Sequence, residues 1–318
     1  MDDGRAITLA KLIGKIAQGD LFGMIGQVAA RVAIGRGAGT TNFASSKSEM
    51  PEEAVRRALA ERGTPVCLTD DVNSQACLEE VAELKPDIVF CAAFPQIFKK
   101  PLFEIARGGV VNFHPSLLPR YRGAHPVYWV LARGETETGL TAHFMNEQID
   151  AGDIIAQLRV SIGPEDDYDT LYQKLIAEVP ELTRRVEEVL LSGTVASERQ
   201  NEEQATLFRQ DREIHWRIFW RLQGSKEVAD RIRAGGAFAF FRGRLLLLHK
   251  ARAVHSNRNL TNDVAVEPGT IVDLTDQHVV VAVAGGCLEL HELTYLLGRM
   301  QARTFIRIFR PLVGETIG

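Results

Sequence analysis

The chain has 318 residues, of which 45% are hydrophobic and 25% are charged, and its formal net charge is −4. This composition is typical of a soluble globular protein with two domains, or with one large domain and an appendage. A pI near 6.1 excludes a generally basic chain that nucleic acid would attract along its whole length.

The four cysteines, Cys67, Cys77, Cys91 and Cys287, do not have metal-ligand spacing. We expect buried free thiols in a reducing cytoplasm and no metal site. The most apolar early segment, residues 7–34, is interrupted by charged residues. It therefore predicts neither a secretory signal nor a membrane span of about 20 apolar residues, and we expect a cytoplasmic protein without membrane contact.

The first 50 residues predict two amphipathic helical pieces over 6–34, broken near Gly19-Asp20, and then a loop over 35–48. The loop contains GRGAG, which is similar to a phosphate-binding loop. No strand is predicted before it and no helix directly after it, so the pattern lacks the context of a dinucleotide fingerprint.

From residue 51 the pattern alternates between helical and strand-like segments. The predicted order is helix 51–62, strand 65–68, helix 73–84, strand 87–93, helix 100–106 and strand 109–113. Strands separated by helical runs predict parallel pairing in an α/β sheet. A long helix over 167–192, which Pro180 is expected to bend, closes this region.

Residues 109–126, GVVNFHPSLLPRYRGAHP, read as a short strand that runs into a proline-rich loop. Side chains two apart on a strand share a face, so we expect Asn112 and His114 to project together where the strand ends. Pro115 favours an extended exit from the strand. Ligands of parallel α/β sheets bind at this edge, which makes the pair a candidate reaction centre.

A second polar loop, residues 146–153, lies between strand-like runs over 141–145 and 154–160. Adjacent strands can bring the Asp150 carboxylate to the His114 imidazole. An amide, an imidazole and a carboxylate are the components of an acyl-transfer site. The amide stabilises an oxyanion, the imidazole handles a proton, and the carboxylate orients the ring.

The C-terminal third predicts a linker followed by a small all-β domain. Residues 193–210 are polar and lack periodicity, and helices are predicted over 214–222 and 226–234. The predicted strands are 237–241, 244–253, 269–274, 278–283 and 287–294. Short strands at this spacing predict a β-barrel of the oligonucleotide/oligosaccharide-binding (OB) type.

The run from Asn112 to Gly123, followed by IDAGD at 149–153, resembles the signature of the formyltransferase family. Members of that family move a formyl group from 10-formyltetrahydrofolate to a primary amine. The segment PGTIVDL at 268–274 is similar to the C-terminal domain of methionyl-tRNA formyltransferases. The resemblance implies a formyltransferase-type Rossmann-like sheet and a smaller C-terminal OB-like β-barrel.

On this basis we expect a catalytic domain over 1–193, a linker over 194–210 and an OB-like domain over 211–318. Family members usually begin with an apolar strand inside the sheet, and none is evident before residue 20. We therefore expect residues 1–50 to be atypical, through either a start upstream of Met1 or a rebuilt N-terminal region.

The resemblance also implies roles for individual residues. Asn112 hydrogen-bonds the oxyanion, His114 acts in proton transfer, and Asp150 orients His114. The implied folate-binding residues are Phe94, Pro95, Gln96, Ile97, Leu117, Glu147, Gln148 and Ile149. The implied substrate-binding residues are Ser116, Leu118, Pro119, Arg120 and Arg122.

The expected acceptor is the α-amino group of methionyl-tRNA, because its reference pKa of about 7.7–8.0 leaves it neutral more often than a lysine amine. Residues 211–260 contain 11 Lys and Arg against 4 Asp and Glu, and Trp216, Phe219 and Trp220 lie among them. That favours an RNA-facing surface, although the aromatic spacing also fits a helical core.

The alternative acceptor is a nucleotide-linked amino sugar. A hydrolase that releases formate from the same folate and a non-catalytic binding protein also stay open. The sequence assigns no oligomeric state.

Overall fold

The computed structural model describes residues 69–92, 94, 96–192, 196–208, 216–254 and 266–318. The helices predicted before residue 63, the loop over 35–48, the strand over 65–68, Cys67 and Pro95 lie outside these ranges. The chain divides into two compact units. The described part of the first unit comprises residues 69–92, 94, 96–124, 137–161, 172–192 and 196–208. The described part of the second comprises residues 125–136, 162–171, 216–254 and 266–318.

Six α-helices and twelve strands are numbered here in chain order within the described residues. The helices are α1 (Gln75–Glu83), α2 (Lys100–Ile105), α3 (Pro126–Ala132), α4 (Tyr168–Leu191), α5 (Ser225–Arg233) and α6 (Ala302–Phe309). The strands are β1 (Val89–Ala92), β2 (Val110–His114), β3 (Arg122–Gly123), β4 (Glu137–Phe144), β5 (Ile154–Ser161), β6 (Leu207–Phe208), β7 (Ala237–Phe241), β8 (Arg244–Val254), β9 (Ile271–Leu274), β10 (Val279–Val283), β11 (Gly286–Tyr295) and β12 (Gly298–Gln301).

The first unit contains a four-stranded mixed sheet with the order β1-β2-β4-β5. The predicted parallel pairing holds for β1 and β2, whereas β4 is antiparallel to both β2 and β5. The connection from β4 to β5 is short, and a parallel crossover needs a dozen or more residues. Antiparallel pairing therefore brings the turn that contains Asp150 back towards β2.

Local signals explain several of the helices in the first unit. The hydroxyl of Ser74 caps α1 by accepting a hydrogen bond from the backbone N–H of Cys77 at 3.3 Å. Proline lies in the first turn of α2, where its missing N–H costs nothing. Helix α4 continues through Pro180 and buries Leu175, Leu182 and Val186 along one face.

The second unit contains a six-stranded antiparallel sheet in which β7-β8-β11-β10-β9 form the path and β12 pairs with β11. All five predicted strands are present. Arg242 and Gly243 both have positive φ, 47° and 72°, in the two-residue turn between β7 and β8, as a primed hairpin turn requires. The aromatic rings of Phe241, Tyr295 and Phe305 pack against one another in its core.

The strands of the described residues do not form a closed barrel. Single bridges from the C-terminal residues do reach both edges of the sheet, Ile317 to Phe241 on β7 and Thr316 to Thr270 beside β9. The structure therefore shows an antiparallel sheet domain, and the finer OB-like assignment stays a prediction.

One predicted element was wrong, and five observed elements were not predicted. Residues 216–222 are not helical, because they run beside β7, where Ile218 N–H bonds to Phe238 O at 3.0 Å. The apolar residues at 216, 218 and 220 also fit the strand period, so a short run could not separate the two patterns. Helices α3 and α6 and strands β3, β6 and β12 were not predicted from the sequence.

The predicted linker is also more structured than expected. Within residues 196–208, a short 3₁₀ turn forms over Glu202–Gln204, and β6 pairs with β3 in parallel. Its polar side chains bond to other residues of the first unit, which is why the segment lacks the periodicity of a helix or strand and is nevertheless ordered. No helix in the described part of the chain is both long and apolar enough to span a membrane.

Candidate active site

Strand β2 positions the first two candidate catalytic residues. Asn112 pairs with Cys91 of β1 on one side and with His143 of β4 on the other. His114 ends the strand opposite Thr141, two residues from Asn112 and therefore on the same face. The prediction that the side chains of Asn112 and His114 lie on the same face of the strand is confirmed.

The turn that carries Asp150 crosses back over the sheet. Because β4 is antiparallel to β2, the turn begins at the far end of β2, where Met145 N–H bonds to Val110 O at 2.7 Å. It closes with a bond from Phe144 N–H to Asp153 O at 2.9 Å. A Cβ atom on Gly152 would lie 1.8 Å from Phe144 O, so only glycine permits this crossing.

The Asp150 carboxylate is the centre of a buried polar cluster. Its Oδ2 accepts a hydrogen bond from Gly123 N–H at 2.8 Å and lies 3.5 Å from His114 Nδ1. Its Oδ1 accepts from Asn112 Nδ2 at 3.3 Å. The three predicted catalytic side chains, which are separated in the sequence, therefore lie together in the first unit.

Both ring nitrogens of His114 face oxygen acceptors. Nε2 lies 2.8 Å from Tyr121 O, Nδ1 faces Asp150, and the side chain is only 5% exposed. Burial lowers the pKa of His114, and the effect of burial outweighs Asp150 and the Tyr121 carbonyl, which raise it. The imidazole is therefore neutral near pH 7, and a proton gained during a reaction would have an acceptor at each nitrogen.

The Asp150 carboxyl stays ionised. Burial raises its pKa, but the neighbouring His114 and the hydrogen bond from Gly123 N–H lower it, and the net pKa is about 2. The neighbouring Cys91 thiol is inert, because burial raises its pKa to about 12. Within the described residues, no three His, Cys, Asp or Glu side chains gather as metal ligands would.

His143 is a fourth member of the cluster and was not predicted from the sequence. Its side chain is 1% exposed, and Nε2 lies 3.2 Å from Asn112 Nδ2 and 3.5 Å from Asp150 Oδ1. Nδ1 lies 2.8 Å from Phe144 O, which places the ring proton on Nδ1 and lets Nε2 accept from Asn112. Residue 143 lies in the strand predicted over 141–145. Pairing that strand antiparallel with β2 would have placed His143 opposite Asn112.

The predicted folate-binding residues lie on the loops after β1 and β4. Phe94, Ile97 and Ile149 are apolar and 38%, 73% and 46% exposed, which fits contact with an aromatic ligand. Gln96 does not offer its side chain, because its amide bonds to Val72 N–H and Asp70 O. Glu147 lies 3.8 Å from Lys100 on the surface.

The two remaining predicted folate-binding residues that the structure describes are Gln148 and Leu117. The backbone N–H of Gln148 bonds to Asn146 Oδ1 at 2.9 Å. Leu117 is half-buried and packs closely on Gly139.

Three of the predicted substrate-binding side chains serve the protein interior instead. Ser116 is fully buried and donates to Arg120 O at 2.8 Å, and Leu118 is 4% exposed. Arg122 is 6% exposed, and its guanidinium bonds to both Gln200 and Glu202. The prediction that Arg122 steers an anionic substrate is therefore corrected: its charge holds residues 200–202.

Arg120 and Pro119 remain nearer to solvent. Arg120 is exposed, and its guanidinium carbon lies 5.4 Å from the centroid of the Tyr121 ring. Pro119 is half-buried.

Replacing Gly123 with alanine is expected to reduce activity by roughly 100-fold, because a displacement of about 1 Å at a site can cost that much. Gly123 has φ of +93°, and an added Cβ would lie 2.0 Å from Phe208 O, so the N–H that bonds Asp150 would have to move. Initial rates of Gly123→Ala check this. Gly163→Ala, whose Cβ makes only ordinary contacts, is the control. Wild-type rates for folded Gly123→Ala would contradict the assignment.

Two family models match the chain. The model described as Formyl transferase matches residues 10–186, which is more than half of the chain. The chain belongs to the formyl transferase family. The model described as Formyl transferase, C-terminal domain, matches residues 209–310.

Solved structures with similar folds include HypX from Aquifex aeolicus in complex with tetrahydrofolic acid. It is 20% identical with a TM-score of 0.57, covering 81% of this chain and 45% of HypX. An N-formyltransferase from Helicobacter canadensis in complex with folinic acid and dTDP-3-aminofucose is 20% identical with a TM-score of 0.56, covering 80% and 86%. The sugar 3N-formyl transferase WlaRD is 16% identical with a TM-score of 0.53, covering 74% and 80%.

At these identities the likeness shows a shared fold. The chain spans less than half the length of the HypX chain it matches.

Proposed function

We propose that this formyl transferase moves a formyl group from 10-formyltetrahydrofolate to a primary amine, with Asn112, His114 and Asp150 as its catalytic residues. The observation that carries the proposal is the buried Asp150 carboxylate, which lies within 3.5 Å of His114 and within 3.3 Å of Asn112. The arrangement supplies a hydrogen-bond donor, a neutral base and a fixed negative charge at one position.

In the proposed reaction, the neutral amine attacks the formyl carbon, and a tetrahedral oxyanion forms. The two N–H groups of Asn112 face Asp150 Oδ1 and His143 Nε2, and one of them exchanges that acceptor for the oxyanion as its charge develops. His114 accepts the proton that the amine loses, and Asp150 stabilises the imidazolium. The bond from the formyl carbon to N10 then breaks, and N10 receives the proton.

The proposed folate site consists of the loops after β1 and β4. The exposed side chains of Phe94, Ile97 and Ile149 provide apolar contact for the pterin, and backbone groups of residues 94–97 and 147–149 provide hydrogen bonds. Leu117, which packs on Gly139 of β4, provides an apolar wall. This donor is supported by neighbours of the same fold, one bound to tetrahydrofolic acid and one to folinic acid.

Two of the three aromatic residues behind the expected RNA-facing surface pack against other side chains of the second unit. Trp220 is 5% exposed and belongs to the hydrophobic core. The ring of Trp216 packs 4.3 Å from that of Tyr128. Trp220 therefore has no face for stacking on bases, and Trp216 and Phe219 are half-buried, which weakens this argument for methionyl-tRNA as the acceptor.

A nucleotide-linked amino sugar is the acceptor that we favour. The Helicobacter canadensis neighbour is described in complex with dTDP-3-aminofucose, and WlaRD is described as a sugar N-formyl transferase. Methionyl-tRNA is the second candidate, because the C-terminal family model matches residues 209–310 and residues 211–260 carry 11 Lys and Arg against 4 Asp and Glu. An excess of basic residues attracts the phosphates of nucleic acid.

Direct competition between acceptors tests this proposal. The full chain is incubated with 10-formyltetrahydrofolate, a panel of dTDP-linked 3-amino and 4-amino sugars, and methionyl initiator tRNA, and the products are analysed by mass spectrometry. We expect a formylated amino sugar. Formylated methionyl-tRNA alone would establish the second candidate, and release of formate without any formylated amine would contradict transfer altogether.

A further inference from the structure

Residues 198–208, here called the strap, contact both loops that carry the catalytic cluster. At one end, Glu198 and Ile154 exchange two backbone hydrogen bonds of 2.8 Å, just after the Asp150 turn. At the other end, Arg122 N–H bonds to Thr206 O at 2.9 Å and Ala124 N–H bonds to Phe208 O at 2.8 Å. The strap therefore spans the distance between the Asp150 turn and the loop that presents Gly123.

Gln200 is the side chain of the strap that connects the two loops. It is 5% exposed, and its Nε2 donates to Asp150 O at 2.8 Å and to Gly152 O at 2.7 Å. Its Oε1 accepts from Arg122 Nε at 3.0 Å and from Arg122 Nη2 at 2.8 Å. Both hydrogens and both lone pairs of the carboxamide are therefore used.

Arg122 fixes the direction in which the Gln200 carboxamide points. Its guanidinium also makes two hydrogen bonds to the Glu202 carboxylate, at 2.8 and 2.9 Å. Because a guanidinium can only donate, Gln200 must turn its oxygen towards Arg122 and its NH2 group towards the turn. The two carbonyls of the turn thus receive donors in a defined geometry.

The two carbonyls flank a strained position in the turn. Asp150 has φ of +50°, a left-handed conformation that a non-glycine residue holds only when its surroundings enforce it. Gln200 holds the carbonyl of Asp150 itself and that of Gly152, two residues later. Its bonds therefore fix the backbone from which the catalytic carboxylate projects towards His114.

We propose that Gln200 is a positioning residue that keeps the Asp150 carboxylate aligned with His114 and Gly123. This inference rests on the proposed function, because it assigns Asp150 to the reaction. The hydrogen bonds of Gln200 go to the turn and to Arg122, so it acts through Asp150 rather than on the substrate.

Gln200→Glu tests the positioning of Asp150 separately from the attachment of the strap to Arg122. The substituted carboxylate keeps an oxygen towards Arg122, but it replaces the NH2 group with an oxygen that faces the carbonyls of Asp150 and Gly152. We expect kcat to fall by about 10- to 100-fold, with the KM for the folate within about threefold of wild type and with the protein folded. Gln204→Glu is the matched control, because Gln204 is an exposed residue of the same strap.

The titration of His114 distinguishes positioning from a merely structural role. The Asp150 charge raises the pKa of His114, so moving the carboxylate away should lower it. Gln200→Met removes the hydrogen bonds without adding charge, and NMR of the labelled histidine rings follows the titration. We expect His114 to titrate at a lower pH in Gln200→Met than in wild type, together with a reduced kcat.

Wild-type kcat in both folded variants, or a reduced kcat with an unchanged His114 titration, would overturn the inference. A wild-type chain that transfers no formyl group would instead refute the proposed function. The histidine titration would still test whether Gln200 positions Asp150, because it requires no turnover.

Discussion

Replacing His114 with alanine is expected to reduce kcat/KM for formyl transfer by about 1000-fold while leaving the protein folded. A positioned general acid or base contributes about 10²- to 10⁴-fold, and His114 is the neutral imidazole beside the Asp150 carboxylate. The change removes both the proton acceptor and the positive charge that Asp150 would stabilise. Initial rates with 10-formyltetrahydrofolate and the acceptor measure the effect.

Two controls make the His114→Ala result interpretable. Circular dichroism and thermal unfolding establish that the variant folds, since the ring is buried and its removal leaves a cavity. His278→Ala, in the second unit, removes a histidine outside the cluster and should retain the wild-type rate. Substantial turnover by folded His114→Ala would remove His114 from its proposed role.

Replacing Asp150 with asparagine is expected to reduce kcat/KM by a similar factor, about 1000-fold. The carboxylate accepts hydrogen bonds from Gly123 N–H and Asn112 Nδ2, and an amide must turn its own NH2 group towards one of these donors. The change also removes the negative charge that raises the pKa of His114. Kinetics and NMR titration of the ring check the two effects. An unchanged His114 titration would contradict the assigned coupling.

The same substitution has a pH-dependent effect on stability. The folded-state pKa of Asp150 is about 2, below the reference value of 3.8, so its charge stabilises the native state above pH 4. This contribution is on the order of 2 kcal/mol, and it is lost as the pH falls from about 4 through 2. Unfolding free energies of wild type and Asp150→Asn should therefore converge over that range. A constant difference would contradict the lowered pKa.

The central part of the site was predictable because it depends on two local features of the sequence, the alternation of side chains along a strand and the proline that follows the strand. Asn112 and His114 are two apart in an apolar run, and Pro115 ends it, so their common face followed from the residues alone. The motif around Asp150 added the third side chain. The five C-terminal strands were predictable for a similar reason, since turn residues such as Arg242-Gly243 separate them.

The features that were missed depend on contacts between distant residues. His143 joins the cluster only because β4 pairs antiparallel with β2, and a list of strands does not contain that register. Arg122 belongs to a loop whose sequence looks solvent-exposed, yet its guanidinium is bound by Gln200 and Glu202, which lie 78 and 80 positions later in the chain. The strap has no periodicity because its polar side chains bond to loops rather than form a helix or strand.

The most direct test of the account follows one labelled carbon. ¹³C NMR of 10-formyltetrahydrofolate labelled at the formyl carbon, mixed with wild-type protein and the amino-sugar nucleotides and methionyl-tRNA in turn, reports where the group goes. The account predicts that the label moves into a formamide on one of the amines, and that folded His114→Ala forms no detectable formamide in the same time. Label that stays on the folate or appears only as formate with wild-type protein, or formamide produced equally by both proteins, would contradict it.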